Sequence, residues 1–342
     1  MNAITAFPRS LVTVKPRTFA LLRLLRNGEF HSGEMLAQRL GISRASVSNA
    51  LRGIEHLGLI LYSVRGRGYC LSNPPQWLDS VRIEHHLGDL AAQFKLQISD
   101  STESTNTQLL QRATQGAPSG SVLAVEWQTG GRGRMGRVWH TGLGNALTYS
   151  VLWRFGQGVS ALSGFSLVTG IALVRVLRAS GFATAQLKWP NDVLAENRKL
   201  AGILIEAQGD MLGPSAVVTG IGLNVSLPQY LRSQIDQPVT CLTDIAVKQP
   251  GTLVPERNAL LANLLREMHN TLIQFAGHGF APFRAEWQSY HAYHNQPVKL
   301  MLPDGSSAEG IARGVTDNGA LMLETAHGTQ ICHTGELGVV TP

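Results

Sequence analysis

Residues 130–137 read Gly-Gly-Arg-Gly-Arg-Met-Gly-Arg and lie between two β-rich apolar runs, 122–127 and 147–153. Gly131, Gly133 and Gly136 satisfy the G-x-G-x-x-G spacing of a dinucleotide-binding turn. Such a turn must open a helix and be followed, about 20 residues later, by an acidic side chain for the ribose. Here it leads into Val138-Trp139-His140-Thr141-Gly142, which starts no helix, and no Asp or Glu occurs between Glu126 and Asp192. The letters of that motif are met and its physics is not. What remains is three arginines alternating with glycines that let the backbone approach a ligand closely. Guanidinium forks grip phosphate or carboxylate bidentately. The loop is expected to be mobile when empty, since nothing apolar anchors it, and to close over an anion. A siteless Arg-Gly surface loop is the competing reading, and its place between two buried strands disfavours that.

Further along, Lys188-Trp189-Pro190-Asn191-Asp192 gathers a cation, an aromatic, a rigid turn, an amide and a carboxylate where a strand ends. Arg198-Lys199-Leu200-Ala201-Gly202 puts a lysine at the head of an apolar strand, and simple alternation sets Lys199, Ala201, Ile203 and Ile205 on one face. Gly220-Ile221-Gly222-Leu223-Asn224 ends another strand with two glycines and one polar side chain. Each cluster has a plain packing explanation. Their joint occurrence in one stretch favours a site.

The surrounding chain is an α+β body of mixed strand order. Ser104 caps a helix to about residue 114, and strands are read at 187–189, 200–207 and 217–225. Helical periodicity covers 163–180, 257–275 and 281–290. After residue 296 the pattern changes to short strands separated by Gly, Asp and Asn turns, as in a small β-barrel. No apolar run is read as reaching the roughly 18 residues of a membrane span. Residues 1–10 lack an apolar leader, and Cys70, Cys241 and Cys332 are too far apart for a disulfide framework or zinc pattern, which fits a reducing cytoplasm.

Charge divides the chain. Residues 1–75 carry ten basic and three acidic side chains, and the other 267 residues carry 19 and 20. This basic segment reads as three helices, at 17–26, 33–40 and 43–57, then a hairpin tipped by Arg65 and Arg67. Ser32 and Ser43 are N-caps, and Gly41 makes the turn between the second and third helices. The third helix offers Ser43, Arg44, Ser46, Ser48, Asn49 and Arg52 outward, side chains suited to base edges and phosphates. The unit resembles a winged helix-turn-helix, with double-stranded DNA as its partner. Asn73-Pro74-Pro75 marks its end.

Ser104-Thr105-Asn106, Gln128, Gly131 to Arg137, Lys188 to Asp192, Arg198 to Gly202 and Gly220 to Asn224 occur in this order. Together they resemble the biotin protein ligases, and the basic N-terminal unit resembles that of the bifunctional members that also repress the biotin operon. The resemblance covers about residues 17–340. It implies a winged helix-turn-helix at 1–75, a central mixed-sheet ligase domain of the biotin/lipoate ligase type at 76–290, and an SH3-like barrel at 291–342. It implies ATP, Mg2+ and biotin, with biotinyl-5′-adenylate as intermediate and co-repressor. The implied partners are the biotin carboxyl carrier protein, operator DNA and a second copy of the chain, with no membrane.

Site roles follow from the same resemblance. Ser104, Thr105, Asn106, Gln128, Arg132, Gly133, Arg134 and Lys199 are expected around biotin. Arg134, Arg137, Trp139, Asn191 and Asn224 are expected around ATP or the adenylate, and Arg134, Lys199 and Asp192 at the chemistry. Met135 departs from the pattern, since many relatives carry a basic residue there. His291 and His294 are read as packing or surface residues, and no protein-borne metal site is expected. A monofunctional ligase that does not bind the operator, and a lipoate ligase relative, are the alternatives.

Overall fold

The computed structural model describes residues 14–210 and 212–339; the reading of residues 1–10 falls outside them. The chain divides between Trp77 and Leu78 into two compact units.

The smaller unit holds α1 (Pro16–Leu24), α2 (Gly33–Leu40), α3 (Arg44–Leu51) and the antiparallel hairpin β1 (Leu61–Val64) and β2 (Gly68–Leu71). Its helices begin where the sequence supplies caps. Ser32 Oγ accepts from the Met35 N–H, and Ser43 Oγ from the Ser46 N–H, each at 3.1 Å. Gly41 closes α2 at φ +62°. Phe19, Leu22, Leu36, Val47 and Leu51 form the buried centre. The third helix is shorter than its periodicity predicts. It stops at Leu51 because Arg52 is extended and Gly53 turns left-handed, and a 3-10 turn, Ile54–Leu57, still buries Ile54 and Leu57.

The larger unit runs α4 (Ser80–Leu87), β3 (Lys95–Thr102), α5 (Thr105–Thr114), β4 (Ser121–Gln128), β5 (Ala146–Phe155), α6 (Phe165–Ala179), β6 (Ala185–Lys188), β7 (Asp192–Ala195), β8 (Arg198–Gly209) and β9 (Ser215–Asn224). Next come α7 (Gln229–Arg232), α8 (Leu242–Lys248), α9 (Arg257–His278) and α10 (Arg284–Tyr290). The seven strands pair in the order β3-β4-β5-β9-β8-β7-β6, and β3 with β4 is the parallel pair. One face of this sheet is packed in the main apolar core with α6 and α9. On the other face, α5 covers Leu123, Val125, Leu152 and Val218. The remainder of that face is left for a cleft.

Residues 159–179 have the length and apolar character of a membrane span, contrary to the expectation of no such run. In the fold the stretch is interrupted at Gly164, which is left-handed, and α6 is buried on nearly all sides against the sheet and α9. A helix apolar all round belongs inside a protein core as readily as in a bilayer. The chain ends in β10 (Pro297–Met301), β11 (Ser307–Val315), β12 (Leu321–Thr325), β13 (Gly328–Cys332) and β14 (Glu336–Val339), an antiparallel sheet of order β13-β12-β11-β10-β14. Leu300, Leu321, Leu323 and Leu337 join it to the main core.

Candidate active site

The cleft lies on the open face of the sheet, and its floor is made of small residues set side by side. Gly222 of β9 pairs with Thr148 of β5 on one side and Gly202 of β8 on the other. The indole of Trp139 rests on this floor, and a Cβ at Gly222 would overlap it. The volume enclosed is about 740 Å³, including space open to solvent.

One wall is the start of α5. Ser104 Oγ caps the helix by accepting from the Thr107 N–H at 3.3 Å. The Thr105 N–H and hydroxyl both donate to Gln128 Oε1, at 2.9 and 3.2 Å. A main-chain N–H can only donate, so the Gln128 amide is held with its oxygen inward and its NH2 free to turn to the cleft. Ser150, fully buried beneath, lies 2.6 Å from both Thr105 Oγ1 and Asn106 Oδ1. Asn106 Nδ2 donates to the Leu204 carbonyl at 3.1 Å and to Glu206 at 2.8 Å.

The facing wall is cationic. The hairpin between β6 and β7 delivers Asn191 and Asp192, and Asn191 is fixed by donating to the Ile203 carbonyl at 2.7 Å. Lys199 Nζ stands 2.8 Å from Asp192 Oδ1, and Lys188 Nζ 3.6 Å from Oδ2. The Lys199 contact is an ion pair off the hydrogen-bonding direction, since Asp192 Oδ1 has no aligned donor. Burial pulls the Lys188 ammonium below its ordinary pKa; Asp192 opposes this, while Lys199 and Arg137 reinforce it. Burial likewise lowers Arg134, with Asp192 opposing and Arg137 adding to the effect.

Lys199 reaches this wall by a route that simple alternation does not give. The pairing runs Val193↔Ala201 and then Leu194↔Lys199, so Leu200 is the extra residue of a β-bulge. Lys199 therefore shares the cleft side with Gly202, whose Cβ would lie 3.3 Å from Lys199 Cε. Ala201 and Ile203 turn into the core, not to the face expected for them.

The Gly-Arg loop crosses the top. It is held by polar contacts, not by apolar ones. Arg132 donates to Glu206 and to Thr107 Oγ1 at 3.0 Å, and Arg134 to Asn191 Oδ1 at 3.4 Å. Arg137 pairs with Glu336 of β14. The Trp139 main-chain N–H closes the loop's base on the Gly131 carbonyl at 2.8 Å. Met135 occupies a left-handed position, φ +54°, and is exposed.

Ser104, Thr105, Asn106, Gln128, Arg132, Gly133, Arg134, Arg137, Trp139, Asn191, Asp192 and Lys199 are thus brought together around one cleft. Asn224 is not: it is buried, and its amide donates to the Thr240 carbonyl at 3.1 Å. Thr148, Ser150, Glu206, Gln237 and Glu336 belong to the site or its support and were not singled out in the sequence. Among the described residues no group of three His, Cys, Asp or Glu side chains is placed to hold a metal. His291 is buried against Trp287 at 4.6 Å between ring centres, and among the described residues neither ring nitrogen has a hydrogen-bond partner.

In the smaller unit Arg44, Asn49, Arg52, Arg65 and Arg67 are exposed, while Ser46 and Ser48 are half-buried. Ser43 is exposed but caps α3 and touches the Ser46 hydroxyl at 3.0 Å, so these two hydroxyls are already engaged. The Arg67 guanidinium lies 4.1 Å over the Phe30 ring, which steadies the hairpin tip.

The family described as "Biotin/lipoate A/B protein ligase family" matches residues 98–224, an HTH domain matches 17–70, and the biotin protein ligase C terminal domain matches 293–337. The bifunctional ligase/repressor BirA of Escherichia coli (strain K12) is 38% identical over 304 residues, covering 89% of this chain and 91% of that protein. The biotin--[acetyl-CoA-carboxylase] ligase of Mycobacterium tuberculosis is 36% identical over 248 residues, or 71% of this chain and 88% of that one. Among solved structures, the biotin protein ligase from Aquifex aeolicus in complex with biotin and ATP has a TM-score of 0.58 at 26% identity, covering 72% of this chain and 98% of that chain.

Proposed function

The chain belongs to the biotin protein ligase family, and from that premise we propose that it is an ATP-dependent biotin ligase and an operator-binding repressor. It makes biotinyl-5′-adenylate, transfers biotin to a lysine of the biotin carboxyl carrier protein, and represses the biotin biosynthesis operon as the adenylate-bound dimer. The observation that carries the enzymatic half is the cation-rich wall. Lys199, Lys188 and Arg134 surround the single carboxylate of Asp192, which leaves positive charge over for an incoming anion.

In the first step a biotin carboxylate oxygen attacks the α-phosphorus of ATP and pyrophosphate leaves. In the second the acceptor ε-amine attacks the acyl carbon of the mixed anhydride and AMP leaves. Both are displacements in which positioning and charge neutralisation do most of the work, so no protein nucleophile is required. Lys199 and Arg134 take the carboxylate and α-phosphate oxygens. Ser104, Thr105, Asn106 and Gln128 form the polar end of the biotin pocket, with the Gln128 NH2 as a donor to the ligand. Arg132 and Gly133 carry the loop across biotin. Trp139, Arg137 and Asn191 serve the nucleotide. The loop excludes water from the anhydride.

A Mg2+ ion carried by the nucleotide would need only one carboxylate beside phosphate oxygens. Asp192, whose hard carboxylate oxygens line the cleft between Lys199 and Lys188, would hold it where phosphate oxygens take up those ammonium groups. The ion would add charge neutralisation on the phosphates.

On this reading residues 1–75 are the operator-binding domain, two residues short of the structural division after Trp77, 76–290 the ligase domain and 291–342 the barrel, and the protein acts in the cytoplasm. Support for DNA binding comes from the HTH match and the exposed Arg44, Asn49, Arg52, Arg65 and Arg67.

The test is to incubate the chain with ATP, a carrier domain and either biotin or lipoate, and to weigh the carrier. A biotin adduct alone is expected, whereas a lipoyl adduct would move the chain to the lipoate branch. A gel shift on the biotin operator should strengthen with biotin plus ATP and weaken steeply with salt. Binding indifferent to both ligands would remove the repressor half.

A further inference from the structure

Glu206 stands outside the reacting centre, on β8, yet two parts of the biotin end, the start of α5 and the Gly-Arg loop, converge on it. From one side Asn106, at the start of α5, donates to Glu206 Oε2 at 2.8 Å. From the other, Arg132 of the Gly-Arg loop donates to Glu206 Oε1 at 3.0 Å and to Oε2 at 3.2 Å. Arg132 also reaches Thr107 Oγ1 at 3.0 Å, so one guanidinium spans the loop, α5 and β8. The chain of contacts continues inward. Asn106 Oδ1 meets Ser150, Ser150 meets Thr105, and Thr105 sets the Gln128 amide.

The charges differ between Arg132 and its neighbour. Arg132 has its counter-ion in Glu206. Arg134, two residues on, makes a long hydrogen bond to the Asn191 amide oxygen at 3.4 Å and shares the one Asp192 carboxylate with Lys199 and Lys188. The arginine that is neutralised is therefore suited to holding the loop. The arginine that shares one carboxylate with two lysines is suited to meeting an anion.

We propose that Glu206 is a positioning residue for biotin activation, and that the Arg132 side chain is its strut: together they hold the Gly-Arg loop on α5 and β8 so that Gly133 and Arg134 face the cleft. This rests on the ligase reading above and assigns the Arg132 guanidinium to support instead of to anion binding. Glu206→Gln separates the two arms. A Gln oxygen still accepts from Asn106, while the charge that holds Arg132 is gone.

The experiment uses the full chain. Biotin-dependent ATP–pyrophosphate exchange gives kcat and KM for biotin, and a chase with unlabelled biotin gives the rate at which bound adenylate is lost. Wild type, Glu206→Gln, Arg132→Ala and the double variant are compared. For Glu206→Gln, KM for biotin and adenylate loss should each rise about tenfold, as expected for one charge-assisted contact, while kcat moves little. Adding Glu206→Gln to Arg132→Ala should change nothing further. The inference is overturned if Glu206→Gln matches wild type in KM and adenylate loss, if the two effects multiply in the double variant, or if kcat and thermal midpoint fall with KM unchanged. A wild-type protein that performs no biotin-dependent exchange would instead sink the ligase reading itself.

Discussion

Arg257 meets Glu126 at 2.8 Å, and Lys199 meets Asp192 at the same distance. The first pair is sealed, its side chains 2% and 0% exposed; the second opens to the cleft at 15% and 9%. Around the first the charges match one to one, and further protein contacts hold both partners: Glu126 Oε1 accepts the Leu78 N–H at 2.5 Å, and Arg257 donates to the Ala146 carbonyl at 3.0 Å. Around the second the accounts do not balance. One carboxylate, Asp192, faces two ammonium groups. A buried pair that is matched and hydrogen-bonded fixes structure, while a pair left with surplus charge of one sign is prepared for a ligand. Distance alone does not distinguish them.

Removing one member should separate the two pairs by readout. Arg257→Ala strands a buried carboxylate and should destabilise the unit by about 3–5 kcal/mol, read as a lower urea midpoint. A midpoint unchanged from wild type would mean that Glu126 finds another partner. Lys199→Ala should do the reverse. Pyrophosphate exchange should drop by about 10²–10³-fold with little change in the midpoint, and a normal exchange rate would refute the anion-gripping role.

His291 extends the comparison to a buried group whose ring nitrogens have no hydrogen-bond partner among the described residues. Its pKa is lowered by burial, and secondarily by His294, to about 4. Between pH 6.5 and that value the unfolded chain binds a proton that the folded chain refuses. Stability is therefore full above pH 6.5 and should decline by about 3 kcal/mol on acidification toward pH 4. Replacing His291 by Phe should flatten that acid limb, and an unaltered limb would assign it to other groups. The smallest effect is kinetic. Arg134→Gly should release biotinyl-adenylate about tenfold faster and label bystander lysines in a protein mixture, and undiminished selectivity would end the retention role.

Features that depend on neighbours in sequence were legible before the fold was known. Ser32, Ser43 and Ser104 cap helices as their spacing indicates, and the Gly-Arg loop does join two buried strands. Features that depend on pairing across the chain were not. The bulge at Leu200 is a property of β7 against β8, so a face drawn from alternation put Lys199 with Ala201. Glu206 is 74 residues from Arg132, and no local pattern couples them. β3 escaped notice because Lys95-Leu96-Gln97-Ile98-Ser99-Asp100-Ser101-Thr102 sits at the sheet edge and is nowhere strongly apolar. The third helix was drawn through Gly53 because its apolar spacing persists across the break.

The bare floor under Trp139 has a consequence for shape. Where Gly202 and Gly222 stand opposite each other, the depth available to a flat ring is set by hydrogen atoms alone. The sheet's own peptide planes become the contact surface. One added carbon at Gly222 would lift the indole toward the loop and narrow the slot from below, while one at Gly202 would press on the Lys199 stem instead.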